Sequence, residues 1–78
     1  MTLYRKKTLI EAAQWFASGH CPIWAQTAVR ECGDHFEIDT REGTLKGVPG
    51  DWIARGIEGE VYPIGADIFA KTYEVAIP

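Results

Sequence analysis

The sequence predicts an α+β fold: one small domain over residues 1–78, mainly an antiparallel sheet of about five or six short strands, with one helix packed on one face and a short helical turn before the last strand. Three observations predict it. Turn residues and strand residues alternate tightly from Gly47 to Pro63. The segment from Pro22 to Gly33 opens on a proline suited to a first helical position and closes on a glycine suited to the residue past a helix end. Two runs, 35–40 and 73–77, alternate apolar and polar side chains as half-buried strands do.

In chain order, residues 7–16 carry β-branched and aromatic side chains and read as a strand, although Glu11, Ala12, Ala13 and Gln14 also favour helix. The Ser18-Gly19 break tips the choice. A helix over 22–32 puts Trp24, Ala28 and Cys32 at i, i+4 and i+8, a core-facing stripe with Gln26, Arg30 and Glu31 on the wet side. Strand 35–40 turns inward Phe36, Ile38 and Thr40 and outward His35, Glu37 and Asp39. Arg41-Glu42-Gly43 makes a hairpin loop into a return strand at 44–48. Pro49-Gly50 then fits a type II turn, because proline presets φ and glycine takes the positive φ that follows. Strand 52–55 pairs with 60–62 across Gly56 and Gly59, and Pro63, lacking an N–H, is expected to stop the ladder. Residues 65–71 read as about two helical turns, with Asp67 early and Lys71 late as the helix dipole prefers.

Composition limits the function classes. With 78 residues, such a chain buries only roughly 60 to 65% of the surface it exposes unfolded, so large aromatics such as the three Trp must supply much of the burial. The net charge of −3 is unevenly spread: from Gly47 onward only Arg55 and Lys71 oppose Asp51, Glu58, Glu60, Asp67 and Glu74. Arg5-Lys6-Lys7 is the one basic cluster, too little for a nucleic-acid footprint. No apolar run approaches the ~20 residues that span a bilayer, and no signal-peptide core follows Met1, so a soluble, cytoplasmic protein with no membrane partner and two reduced thiols is expected.

Chemistry-bearing residues are few. His20-Cys21 and Cys32-x-x-His35 offer four zinc-ligand types, but a helix between them would hold Cys21 and Cys32 on the order of 15 Å apart, so no metal is expected. Cys21 is the best nucleophile candidate, before a helix N-terminus and beside His20. Asp51 and Glu60 are candidates for a carboxylate pair, with the plainer alternative that Asp51 accepts backbone hydrogen bonds in its own turn. None assembles a nucleophile, an orienting partner and an anion hole together, so no catalytic residues, no cofactor and no enzyme activity are expected. A binding site has more material: Trp52, Arg55, Gly56, Gly59 and Tyr62 belong to one hairpin. There Arg55 would pair with an anion, Trp52 or Tyr62 would stack on a base, and the glycines would open the backbone to a phosphate. A pocket for such a ligand exceeds what one small chain encloses, so a homo-oligomer is part of that expectation.

The matching segments are Lys6-Lys7 with Glu11, Ala12, Gln14 and Trp15; then Pro49-Gly50-Asp51-Trp52-Ile53, Gly56, Gly59-Glu60 and Tyr62-Pro63; then Asp67-Ile68-Phe69 and Thr72-Tyr73-Glu74. In these the chain resembles a family of small bacteriophage and prophage proteins. Thr8 stands where that family's pattern has proline, and the middle segment is not covered. The resemblance implies a source and a setting, a host bacterium, rather than a chemistry. With it, the expected function is a non-enzymatic phage accessory protein countering host defence by sequestering a small nucleotide-like signal. The alternatives are a protein inhibitor of a host enzyme, whose basic surface would meet the acidic second half, and a virion structural component.

Overall fold

The computed structural model describes residues 2–3, 9–17, 19 and 21–75. Among them six strands form two antiparallel three-stranded sheets with one α-helix, as an α+β fold requires. The elements are β1 (Glu11–Gln14), β2 (Val29–Glu31), β3 (Phe36–Thr40), β4 (Gly43–Gly47), β5 (Trp52–Arg55), β6 (Val61–Ile64) and α1 (Ala66–Thr72). The strand orders are β1-β5-β6 and β2-β3-β4.

The hairpins follow their turn residues. Gly50 takes φ 96° and the Asp51 N–H donates to the Val48 carbonyl at 2.9 Å, closing the expected Pro-Gly turn. Asp51 takes its plainer role and extends it, with Oδ2 accepting from the Val48 N–H and Oδ1 from the Ala66 N–H, both at 3.0 Å. The second bond supplies the first residue of α1 with a side-chain acceptor that its N-cap, Gly65, lacks. α1 matches the helical turn read at 65–71. It lays Phe69 flat on Trp52, ring centroids 3.9 Å apart, and Tyr73 stacks on Phe69 at 5.0 Å.

Four expectations are corrected. The helix over 22–32 is absent: a 3-10 turn at Ile23–Ala25 is followed by strand β2. Val29, Arg30 and Glu31 pair with Ile38, Glu37 and Phe36, and that ladder outweighs local helix preference. Gly33, φ 87°, serves the β2–β3 turn instead of a helix end. The strands divide into two sheets rather than one. Pro63 lies inside β6 rather than ending it: the Gly56 N–H donates to Glu60 O at 2.8 Å, and the alternation this sets puts Pro63, opposite Ile53, at a position with no ladder bond. Finally, residues 73–75 form no strand, while 76–77 and the early part of strand 7–16 (Lys7, Thr8) lie outside the described residues.

The core joins both sheets. Phe36, Ile38 and Ile53 are fully buried with Trp15, Cys21, Ala25 and Val29 around them, and Trp15 meets Phe36 edge-on at 5.2 Å. Glu31 ties the loop after β1 to β2, its Oε1 accepting from the Trp15 indole at 2.8 Å and the Cys21 N–H at 2.9 Å. Among the described residues no helix is long and apolar enough to cross a membrane.

Candidate functional site

Strand alternation separates the residues expected to bind together. Trp52, Ala54, Tyr62 and Ile64 lie on one face of the β5–β6 hairpin, and Ile53, Arg55, Val61 and Pro63 on the other. Trp52 is half-buried beneath Phe69, and Tyr62 is half-buried at the edge of a cleft. Arg55 forms an ion pair with Glu11, its partner across the sheet, and lies over the Trp24 ring, 5.1 Å from its centroid. Arg55, Gly56 and Gly59 do line one shallow depression, between the exposed side chains of Leu9 and Ile57.

The hairpin tip is not bare. The Gly59 N–H donates to the Gly56 carbonyl at 3.0 Å and the Glu58 N–H to Glu60 Oε1 at 3.0 Å. The Glu60 carboxylate fills the space above Gly56, where any added Cβ would collide with it. The chain therefore supplies its own anion at the place where a phosphate was expected to approach.

A second cleft, of about 500 Å³, opens between the β3–β4 turn and the β5–β6 hairpin. Asp39, Glu42, Glu58 and Glu60 wall it against a single guanidinium, Arg41, with Leu45, Val61 and Tyr62 as its less polar lining. Arg30 grips both oxygens of Asp39 at 2.8 and 3.0 Å and Thr44 donates at 2.7 Å, which together hold the Asp39 carboxyl down at about 2. Glu42 and Glu58 are exposed. Sequence reading missed this group because its members come from two separate hairpins, Asp39 and Glu42 from one and Glu58 and Glu60 from the other, which the fold brings together; only the acidic bias of the second half hinted at it.

Two candidate chemistries lose their geometry. Cys21 precedes no α-helix: it is 7% exposed in the core, and burial first, with the Glu31 carboxylate second, pushes its thiol up rather than down. Cys32 is exposed. In the folded protein iodoacetamide is expected to modify Cys32 at least about tenfold faster than Cys21, the two converging in denaturant; equal rates under native conditions, read by peptide mass, would contradict this burial. Asp51 and Glu60 lie at opposite ends of β5 and form no pair. His20 lies outside the described residues.

Comparison of the chain with protein-family models, with curated proteins and with solved structures finds no match.

Proposed function

We propose that this chain is a non-enzymatic binding protein that takes a basic segment of a partner protein into the cleft between the β3–β4 turn and the β5–β6 hairpin. The observation that carries this reading is the cleft's charge: with Asp39 paired to Arg30, the carboxylates of Glu42, Glu58 and Glu60 stand against the one guanidinium of Arg41 in a lining that also holds Leu45 and Val61. Lysine and arginine side chains suit such a lining, because their stems pack on Leu45 and Val61 while their charged ends reach the carboxylates. In the phage setting implied by the sequence resemblance, the partner would be a host enzyme and the effect inhibition by occupation. Capture of a nucleotide-like anion has less support, since Arg55 is already paired with Glu11 and Glu60 occupies the backbone site.

A fluorescent peptide of alternating lysine and leucine tests the reading. It is expected to bind the wild type and to lose at least about tenfold in affinity with Glu42→Lys plus Glu58→Lys. Added salt is expected to weaken binding, because exposed charges are screened beyond roughly 8 Å at physiological ionic strength. Affinity unchanged by the charge reversal would sink the proposal. So would a cyclic dinucleotide that raises the melting temperature of the wild type but not of Arg55→Ala, and in that case the solution mass of the same sample tests the expected homo-oligomer.

A further inference from the structure

We propose that the β2–β3 hairpin carries a zinc site made by Cys32, His35 and Glu37, with its fourth position open to solvent. The three ligating atoms, a thiol sulfur, an imidazole nitrogen and a carboxylate oxygen, lie within 4.8 Å of one another. The backbone places them together. The Cys32 N–H donates to the His35 carbonyl at 2.8 Å, which sets these residues opposite each other across the turn, and Glu37 lies two residues on, on the same face of β3. Phe36 and Ile38 point the other way, into the core. The separation by a long helix that argued against a metal is gone with the helix. The ligand set has also changed: Cys21 is buried in the core, and Glu37 takes its place.

Each of the two half-buried ligands is held by a neighbour. Asp34 Oδ1 is 2.7 Å from His35 Nδ1, which favours the proton on Nδ1 and turns Nε2 outward. Nε2 then faces Glu37 Oε2 at 3.4 Å, while Arg30 donates to the other carboxylate oxygen at 3.3 Å. A neutral imidazole nitrogen and a carboxylate oxygen both offer lone pairs, which a metal between them would use. The spacing suits the metal: bonds of about 2.0 Å to nitrogen and oxygen at tetrahedral angles put the two atoms roughly 3.3 Å apart. The sulfur needs to move inward by on the order of 1 Å to reach its bond length of about 2.3 Å. Cys32 is exposed and its thiol makes only a 3.6 Å contact to the Arg30 carbonyl, so side-chain rotation supplies that movement. A thiolate with imidazole and carboxylate favours zinc over calcium or magnesium, which prefer oxygen alone. Arg30 and Lys46, the latter opposite Glu37 in the ladder, are the cations the metal must tolerate.

The test uses the full untagged chain, reduced and stripped with EDTA, titrated with cobalt(II) and then zinc. Binding of one ion with a sulfur-to-cobalt charge-transfer band, displaced by zinc, is the expected result. Cys32→Ser is expected to abolish the band, and Cys32→Ser, His35→Gln and Glu37→Gln each to weaken zinc by at least about tenfold. Asp34→Asn, which acts through His35, is expected to weaken zinc by about 10- to 100-fold while keeping the band. Cys21→Ser is expected to bind zinc as the wild type does. All three ligands lie on the open face of the hairpin, and thermal melts in EDTA separate a lost site from a lost fold. No charge-transfer band in the wild type, zinc affinity unchanged by Cys32→Ser or Glu37→Gln in folded protein, or loss of binding in folded Cys21→Ser each overturns the proposal.

Discussion

Gly47→Ala is expected to destabilise the chain by about 3 kcal/mol, against a total stability of roughly 4 to 12 kcal/mol for its length. The sign is informative, because replacing a strand glycine by alanine ordinarily stabilises, through the unfolded state, by about 0.4 to 1 kcal/mol. Here space decides. Gly47 is buried at the end of β4 opposite Phe36, and a Cβ there would overlap the phenyl ring, at 2.7 Å from Cε2 and closer still to Cζ and Cε1. Phe36 cannot retreat, since it is fully buried and meets Trp15 edge-on. A loss of this size lowers the melting temperature by about 12 to 24 °C. Phe36→Leu shortens the blocking group, so the double variant is expected to be more stable than the sum of the two single losses by at least about 1 kcal/mol. Denaturant titration of the four proteins checks it, and a neutral Gly47→Ala would mean that the ring and β4 are arranged otherwise.

Glu31→Ala carries the next largest expectation, a loss of about 2 to 4 kcal/mol, because one oxygen serves two donors. Removing it strands the Trp15 indole N–H and the Cys21 backbone N–H, and each unsatisfied buried donor costs about 1 to 3 kcal/mol. Glu31→Gln keeps an acceptor oxygen and removes the charge, so it is expected to lose only about 1 kcal/mol. It separates two effects at Cys21 as well. Burial remains while the carboxylate is gone, so the thiol pKa is expected to fall and its slow alkylation in the native state to quicken. Equal stability of the Ala and Gln variants would show that the acceptor is not what matters.

The turns and the C-terminal helix were legible because each is fixed by local chemistry. Pro49-Gly50, the Gly56 and Gly59 reversal, and the Asp67 to Lys71 run depend on φ preference and dipole placement, which the residues themselves carry. Residues 22–32 were not legible, since Pro22 and Gly33 suit a 3-10 turn and a hairpin as well as they bound a helix. Val29-Arg30-Glu31 is too short for periodicity to decide, and its partner strand β3 settles the matter from outside. The split of Trp52 from Arg55 was available from alternation along β5, whereas that of Tyr62 needs the β5–β6 register as well. That Glu42 and Glu58 line one cleft was not available, because it depends on how two sheets share the core. His35 and Glu37 were placed on one face correctly, and only the misplaced helix kept Cys32 from joining them.

Pro63 has a consequence for how this protein meets others. With β6 at the margin of its sheet and the imide nitrogen of Pro63 turned away from β5, the outer row of amide hydrogens is interrupted where a stray extended chain would need to zip on. An extended chain laid along that margin would find a donor missing at its middle.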